Sequence, residues 1–243
     1  MTRSRLLLVI ARYFEFGGLQ RDFLRIAQRC AERGHDVHVL TGGWDGPRPD
    51  QITVHVVNTR AVSNHRSNDK LAAHLRRASA ADRFDCVVGF NKTPGLDVYY
   101  AGDPCLAAKL AATRPVAVRL LPRYRAMLRQ EAAVFGPDTD TQIFLIAHQE
   151  REKFIRHYGT PADRFSLLPP GIDRDRLVRC VPSDADRLKL RRELGIAADD
   201  VMILHIGSGF RTKGVDRAVT ALGSLPEPLR SRSRLVVVGR GKP

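Results

Sequence analysis

Long apolar runs and clustered cysteines are both missing from this 243-residue sequence. No stretch approaches the roughly 18 consecutive apolar residues that a membrane-spanning helix needs, so we expect a soluble or peripheral protein. The four cysteines are far apart in the sequence, at Cys30, Cys86, Cys105 and Cys180. Because no pair has the spacing of a zinc site or of a disulfide framework, neither is predicted, and a reducing cytoplasm is the compartment that fits best.

The sequence also lacks the short motifs of the common cofactor and metal sites. No G-x-G-x-x-G dinucleotide fingerprint occurs, and Thr41 and Gly42 stand where an NAD-binding protein would have an acidic residue. The segment 207–214 does not have the spacing of a Walker A loop, which disfavours a nucleotide triphosphatase. Two Asp-x-Asp sequences, at residues 138–140 and 184–186, do not end apolar strands. We therefore expect no metal and no bound cofactor.

Acidic residues are scarce relative to basic ones. The sequence contains 26 aspartates and glutamates and 40 lysines and arginines, which gives a formal net charge of +14. Such an excess favours long-range attraction to a polyanion, so nucleic acid, an anionic membrane and a phosphorylated glycolipid are candidate partners. The alternative is a solvated basic surface with no specific partner.

Between residues 104 and 130 acidic residues are absent altogether, and basic residues alternate with apolar ones. A segment of this kind can lie on an anionic bilayer, where each cation near the surface contributes about 1 kcal/mol and a tyrosine can anchor at the interface. The predicted membrane-facing residues are Lys109, Arg114, Arg119, Arg123, Tyr124 and Arg125. A buried strand and helix with a solvated basic face is the alternative interpretation.

Apolar strand-like segments alternate with helical ones from the start of the chain, which predicts an α/β fold with a parallel sheet. The predicted strands of the first part span residues 5–10, 37–40, 53–57, 86–90, 116–120, 142–147 and 165–168. Between the first two, apolar residues recur at helical spacing and Gly34 follows as a stop, which completes one βαβ unit. The apolar run after Arg3 and Arg5 is interpreted as the first strand and not as a signal peptide, because no small-residue cleavage site follows it.

A domain boundary is predicted where a Pro-Pro-Gly sequence at residues 169–171 interrupts this pattern and a charged stretch follows. Residues 1–170 then form a complete N-terminal α/β domain. Residues 171–243 form a linker and the start of a second α/β domain.

The second segment contains only two predicted strands, residues 201–206 and 235–238, with one helix between them at residues 214–222. Two strands and one crossover cannot bury both faces of a parallel sheet. We therefore interpret the second domain as truncated.

Two glycine-containing loops each connect a predicted strand to a predicted helix. The first contains Gly17 and Gly18, which let a ligand approach the backbone beside the N–H groups of a helix start. The second, residues 207–214, holds Arg211 and Lys213, two cations able to neutralise a diphosphate. Two such loops facing each other across a hinge suggest a cleft for an activated, phosphate-bearing donor. The alternative for the first loop is a glycine turn that only chain geometry requires.

Five short strings, in register with one another from about Leu6 to the end of the chain, resemble a known enzyme family. They are Phe-Gly-Gly-Leu-Gln-Arg-Asp (16–22), Val-Gly-Phe-Asn-Lys (88–92), Pro-Gly-Leu-Asp-Val-Tyr (94–99), Leu-Pro-Pro-Gly-Ile (168–172) and Lys-Gly-Val-Asp-Arg (213–217). Together they are similar to the lipopolysaccharide core glucosyltransferase I family, a heptose-specific, retaining group within glycosyltransferase family 4. The resemblance implies the GT-B fold, built from two Rossmann-like domains, and catalysis without a metal. It also implies that residues 1–170 are the complete N-terminal Rossmann-like domain, which binds the acceptor. Residues 171–243 would then be the linker and the truncated start of the C-terminal domain, which binds the nucleotide sugar.

The resemblance also implies roles for residues of the first domain. Gly17 and Gly18 match the loop beside the donor phosphate and the acceptor, and Asp22 matches a polar residue that lines the same cleft. Asp103 matches an acidic residue of the active site, which would position the acceptor hydroxyl.

In the second domain, Lys213 matches the family's diphosphate-binding lysine. The family usually has an arginine directly before it, where this chain has Thr212, so Arg211 is the expected substitute. The family also holds the donor with a pair of glutamates separated by seven residues, and these lie beyond the last residue of this chain. We therefore expect the fragment to be inactive by itself.

The implied reaction is the transfer of a hexose, glucose first of all, from a UDP-sugar donor to a lipid-linked inner-core heptose, with the anomeric configuration retained. The expected location is cytoplasmic, peripheral on the inner face of the inner membrane, and no nucleic-acid partner is expected. The rival hypothesis is a non-catalytic basic module that binds anionic membrane or nucleic acid. It accounts for the charge but not for the paired glycine loops, and no aromatic-basic RNA motif is present.

Overall fold

The computed structural model of the chain describes residues 2–171 and 182–239. Residues 172–181, which include Cys180 and the first part of the charged stretch, lie outside the described residues. The chain divides into two compact units, Met1–Gly171 and Ile172–Pro243, and each unit has a sheet of its own. This division lies one residue after the boundary that the sequence predicts.

Seven parallel strands form the sheet of the first unit. In chain order they are β1 (Arg5–Ile10), β2 (Asp36–Thr41), β3 (Ile52–Val56), β4 (Cys86–Gly89), β5 (Val98–Ala101), β6 (Gln142–Leu145) and β7 (Phe165–Leu167). Their spatial order is β3-β2-β1-β4-β5-β6-β7, so the chain builds outward from β1 in one direction and then, from β4 onward, in the other. The predicted α/β class is confirmed. The reversal between β1 and β4 is the kind of position at which open parallel sheets bind ligands.

Helices cover both faces of this sheet. They are α1 (Gly18–Glu32), α2 (Asn64–Ala81), α3 (Leu106–Thr113), α4 (Pro122–Phe135) and α5 (Arg151–Tyr158), with short 3-10 segments at Val116–Leu120, His148–Glu150 and Ala162–Arg164. Because successive side chains of a strand point to opposite faces, Leu7 and Val9 enter one buried cluster, and Leu8 and Ile10 enter the other. The buried part of this strand has no polar positions, which is why Leu6–Ile10 form an uninterrupted apolar run.

The predicted end of α1 at Gly34 is confirmed. Gly34 adopts the left-handed conformation, with φ of +88°, and its N–H donates to the carbonyl oxygen of Ala31 at 2.8 Å. Side chains with a Cβ are disfavoured at such a φ, so glycine stops the helix here at little conformational cost.

One predicted strand, residues 116–120, is wrong. Val116–Leu120 is a 3-10 segment that follows Pro115, and the Val118 N–H donates to the Pro115 carbonyl at 3.0 Å. The position between β4 and β6 is taken by β5, which pairs with both of them. β5 (Val98–Ala101) is absent from the sequence-based prediction.

The second unit has a two-stranded parallel sheet, β8 (Val201–Ile206) beside β9 (Ser233–Val238), among its described residues. Its described helices are α6 (Asp184–Glu193), α7 (Phe210–Lys213) and α8 (Val215–Gly223). Both predicted strands are confirmed, while the predicted loop after β8 contains the one-turn helix α7. Ile206 stays 73% exposed and Leu204 48% exposed, since two strands and these helices cannot cover both faces of a sheet.

A buried arginine of the first unit fastens the end of α4 to the chain that follows it. Arg164 is only 6% exposed, and its guanidinium donates to the carbonyl oxygens of Val134 and Gly136, both at 2.6 Å. A third bond, 2.9 Å long, reaches the carbonyl oxygen of Thr141 just before β6. The carbonyls at a helix end have no partners within the helix, so one planar side chain with five N–H donors satisfies several of them at once.

Replacing this guanidinium by an apolar side chain should destabilise the fold. We expect Arg164→Met to lower the free energy of unfolding by about 3 kcal/mol, because it leaves buried carbonyl oxygens without donors. Arg156→Met, at an exposed position of α5, is the matched control and should change the value by less than about 0.5 kcal/mol. Urea unfolding followed by circular dichroism measures both, and equal effects of the two variants would contradict this account of Arg164.

Candidate functional site

The ends of β1, β4 and β5 meet at one edge of the first unit's sheet, because parallel strands share a direction. The side chain of Asn91, just after β4, accepts a hydrogen bond from the Ala11 N–H at 2.7 Å, which ties the end of β4 to the end of β1. The loops that follow these strands therefore start from fixed positions. This edge, at the reversal of strand order, is where we locate the candidate site.

The loop after β1 leads directly into α1. Gly17 is the N-cap of the helix, with an extended backbone (φ −89°, ψ 140°), and Gly18 is its first residue. Neither glycine has a positive φ. A Cβ added at Gly18 would meet no atom within 4 Å, whereas one at Gly17 would collide with the end of the Gln20 side chain. Chain geometry therefore does not explain the glycine at position 18.

Asp22 lies one turn further along α1 and points toward β5. It accepts a hydrogen bond from the Tyr100 hydroxyl at 3.1 Å. Burial raises the pKa of Tyr100, and the neighbouring carboxylate of Asp22 raises it further, so the phenol stays protonated and donates this bond. The first turn of α1 also contacts the loop after β5, since a Cβ at Gly102 would lie 2.7 Å from a methyl of Leu19. The structure thus brings the glycine loop and the Asp103 loop together.

Asp103 is exposed and lines a cavity of about 270 Å³. The cavity lies between the loops after β4 and β5 and the helices α2, α3 and α4, and its lining residues are Asn68, Asn91, Lys92, Asp103, Pro104, Leu106, Lys109, Met127 and Gln130. Three amide side chains, one carboxylate and two lysines supply hydrogen-bond donors and acceptors beside the apolar side chains of the lining. Such a mixture suits a ligand with many hydroxyl groups. Lys109, predicted to face a membrane, lies at this cavity instead of within the exposed segment that follows.

A buried ion pair lies directly behind the cavity. Lys92 pairs with Glu131, a fully buried residue of α4, and also donates to the Pro104 carbonyl at 2.9 Å. The sequence-based prediction missed Glu131. Glu131 lies with Gln130 and Val134 on the buried face of α4. A charged residue on such a face needs a specific partner, and this position is the feature that could have identified Glu131.

A second cavity of about 340 Å³ lies at the ends of β6 and β7. Its lining residues are Leu145, His148, Arg151, Phe165, Ser166 and Leu167. His148 begins the 3-10 segment His148–Glu150 at this edge. None of the residues singled out by the family resemblance lines this cavity.

The segment predicted to contact a membrane presents apolar side chains to solvent. Val116 is 73% exposed, Leu120 72% and Leu121 51%. Four basic residues accompany them, with Arg114, Arg123 and Arg125 exposed and Arg119 half-buried. Arg123 lies over the ring of Tyr124, with its guanidinium carbon 5.9 Å from the ring centre. No helix in the described ranges 2–171 and 182–239 is both long and apolar enough to cross a bilayer.

In the second unit, Arg211 and Lys213 lie in the one-turn helix α7 and are both exposed. Gly209 and Gly214 flank this turn with φ values of +76° and +77°, a conformation that favours glycine at both places. The aliphatic part of Lys213 runs past Gly207, where an added Cβ would lie 3.5 Å from its Cγ. The two cations that the sequence singles out therefore sit on a tight turn directly after β8.

Metal-ligating side chains do not gather in groups of three or more anywhere in the part of the chain that the structure describes. The Asp-x-Asp sequence at residues 138–140 follows the end of α4, where the Thr139 hydroxyl donates to the carbonyl oxygens of Val134 and Gly136. This central threonine thus takes part in the same helix end that Arg164 fastens.

Comparison with known proteins finds several relatives. The profile of the family described as Glycosyltransferase Family 4 matches residues 16–176. Lipopolysaccharide glucosyltransferase WaaG from Escherichia coli (strain K12) is 42% identical over 233 residues, which is 96% of this chain and 62% of that protein. A D-inositol 3-phosphate glycosyltransferase from Geodermatophilus obscurus is 28% identical over 249 residues, or 92% of this chain and 54% of that protein.

Among solved structures, a crystal structure of WaaG, described as a glycosyltransferase involved in lipopolysaccharide biosynthesis, matches with a TM-score of 0.88 at 40% identity. The match covers 98% of this chain and 64% of that one. It confirms the predicted GT-B type of fold. The chain thus spans less than two thirds of the length of these relatives.

The open surroundings of Gly18 lead to a prediction about stability. We expect Gly18→Ala to raise the free energy of unfolding by about 0.5 kcal/mol, because alanine fits the helical backbone and restricts the unfolded chain. Gly34→Ala is the control at the other end of α1, and its positive φ should make that variant less stable by about 1 kcal/mol or more. Urea unfolding separates the two. If Gly18→Ala destabilises as much as its control, chain geometry does require the glycine.

Proposed function

This chain belongs to glycosyltransferase family 4, and from that premise we propose that it serves the transfer of a hexose from a UDP-sugar to an inner-core heptose of lipopolysaccharide. Glucose is the proposed hexose, and the anomeric configuration is retained. The assignment of the reaction is supported by the 42% identity to the Escherichia coli protein named lipopolysaccharide glucosyltransferase.

The observation that carries the proposal is the cavity beside Asp103. It lies at the carboxyl ends of β4 and β5, its lining residue Asn91 is hydrogen-bonded to the end of β1, and its amide, carboxylate and lysine side chains suit a polyhydroxylated acceptor. In this proposal a heptose occupies the cavity, and the exposed Asp103 carboxylate accepts a hydrogen bond from the reacting hydroxyl.

The proposed chemistry exchanges one glycosidic bond for another. The bond between the anomeric carbon and the UDP oxygen breaks, and a bond between that carbon and the heptose oxygen forms. UDP leaves with the electron pair of the broken bond, and its departing oxygen takes the hydroxyl proton. Arg211 and Lys213 stabilise the negative charge that develops on the diphosphate, which makes electrostatic stabilisation of the leaving group the main catalytic contribution. No metal and no cofactor are part of the proposal.

In this proposal the glycine loop, with Gly17 and Gly18, contacts the donor. Gly18 has space for a side chain in this structure and a backbone conformation open to other residues, so its missing side chain leaves room for a ligand. The free N–H groups at the start of α1 favour phosphate or sugar oxygens at that place.

A lipid-linked acceptor places the enzyme at a membrane. The exposed apolar residues Val116, Leu120 and Leu121, with arginines on either side, suit the surface of an anionic bilayer. We propose that this segment holds the protein on the cytoplasmic face of the inner membrane, a few residues from the cavity wall formed by Lys109 and Met127.

A transfer assay with UDP-glucose and heptose-terminated lipopolysaccharide tests the proposed reaction. This chain is compared with a version continued through the remaining C-terminal residues of the Escherichia coli relative. We expect transfer by the continued chain and none by this chain alone. In the continued chain, Lys213→Ala should lower kcat/KM by about 100-fold, because it removes a donor from the leaving group, while the exposed Lys189→Ala should leave it unchanged.

Two results would count against the proposal. A wild-type rate in the Lys213→Ala variant would remove this lysine from the donor site. Failure of the continued chain to transfer, with steeply salt-dependent binding of RNA by both chains, would favour the basic binding module instead.

Membrane attachment has its own test in sedimentation with lipid vesicles. We expect the chain to bind vesicles that contain anionic lipid and to lose at least 10-fold in affinity when Val116 and Leu120 are both replaced by aspartate, because burial of two apolar side chains is lost and two like charges are added. Val62, which is 96% exposed in the loop before α2, provides the matched control Val62→Asp. Equal binding by all three proteins would show that another surface, or none, contacts the membrane.

A further inference from the structure

The carboxylate of Glu131 is fully buried and accepts hydrogen bonds from four donors on three separate parts of the chain. One oxygen accepts from the Lys92 ammonium and from the Leu106 N–H at 2.8 Å. The other accepts from the Ala107 N–H at 2.9 Å and from the Tyr158 hydroxyl. All of its acceptor capacity is therefore used inside the protein, and none of it faces the cavity.

These bonds fasten the chain that carries Asp103. Immediately after this residue, the Pro104 carbonyl accepts from Lys92 at 2.9 Å, and the Cys105 N–H donates to Glu150 at 2.9 Å. The next two N–H groups, at the start of α3, donate to Glu131. Four consecutive residues are thus held by buried or half-buried side chains, while Asp103 itself stays exposed at the cavity.

Electrostatics favour this arrangement. A carboxylate at the start of a helix interacts favourably with the helix dipole, and the pairing with Lys92 compensates the charge that both groups bring into the interior. Burial, the hydrogen bond to Glu131 and the charge of Glu131 all raise the pKa of Tyr158, so its hydroxyl remains a donor. Burial disfavours ionisation of Glu150, but its bonds from Lys153 and from Cys105 outweigh this and lower its pKa.

We propose that Glu131 is a positioning residue for the acceptor: it sets the place of Asp103 through the start of α3. The inference rests on the proposed function, because it takes the cavity to be the acceptor site. Glu131 does not itself touch the ligand. Its neighbour Gln130 and Met127, one turn earlier, form part of the cavity wall, so α4 supplies both the wall and the fastening behind it.

The variant Glu131→Gln separates charge from volume. Its amide has one oxygen and one NH₂ group, so either the Leu106 N–H or the Ala107 N–H must face a donor and lose its acceptor. The Tyr158 hydroxyl can turn to accept, whereas a backbone N–H cannot. Tyr158→Phe is the matched control, since it removes one of the four donors and leaves the carboxylate and the Asp103 loop bonds in place.

The experiment titrates this chain with a lipid-free inner-core oligosaccharide that ends in heptose, and follows amide shifts by NMR. We expect Glu131→Gln to weaken binding at least 10-fold and Tyr158→Phe to weaken it less than 3-fold. If Glu131 acts through Asp103, its substitution should cost much less in an Asp103→Asn background than in the wild type. A purely structural contribution would instead be the same in both backgrounds.

Folding is checked by thermal unfolding. Glu131→Asp replaces Glu131→Gln if the latter does not fold, because aspartate keeps the negative charge on a side chain that is one methylene shorter. A folded Glu131 variant that binds like the wild type, or effects of Glu131→Gln and Asp103→Asn that simply add, would overturn the inference. If the wild type does not bind the oligosaccharide, the acceptor assignment fails by itself. The ligand-free spectra then decide: shifted amides at residues 103–107 in Glu131→Gln but not in Tyr158→Phe support positioning, and unchanged amides overturn it.

Discussion

The parallel direction of all seven strands is the constraint on which the first unit depends. It gathers the carboxyl ends of β1, β4 and β5 at one edge, whatever their distance along the chain. The reversal of strand order between β1 and β4 then leaves a gap between outgoing loops, since the connections leave in opposite directions. Leu19 of the glycine loop and Gly102 of the Asp103 loop lie close together there, although 83 positions separate them in sequence. Hydrogen bonds from Ala11 to Asn91 and from Tyr100 to Asp22 keep that edge in register.

The buried Glu131 carboxylate stabilises the loops that follow β4 and β5 at this edge. Taking a carboxylate and an ammonium out of water costs about several kcal/mol for each ion, and their attraction offsets this only when the remaining hydrogen bonds are also satisfied. Glu131 meets that condition with four donors. The loop after β5 is consequently held by buried and half-buried side chains, whereas Phe16 in the loop after β1 is 94% exposed.

The segment Val116–Leu120 contains apolar residues that are not part of the sheet. β5 already pairs with β4 and β6, and this segment folds as a short 3-10 turn in which the Val116 and Leu120 side chains remain exposed. An exposed apolar patch among basic residues is uncommon on a soluble protein unless it meets a surface. The misassigned strand and the proposed membrane contact thus have one cause, which is apolar sequence without a partner in the fold.

Local sequence pattern determined much of this protein. The apolar run of β1, the stop at Gly34, the alternation of strands and helices and the strings that resemble a glycosyltransferase family all predict features that the structure or the comparisons confirm, because each depends on near neighbours or on the order of residues. Tertiary structure decided the rest. β5 is stabilised as a strand by its pairing with β4 and β6, which are formed by other parts of the sequence. The pairing of Lys92 with Glu131 joins residues 39 positions apart, and no local pattern specifies which buried charge meets which partner. Only the folded chain determines that contact, since it arises where three helices and two strand ends converge.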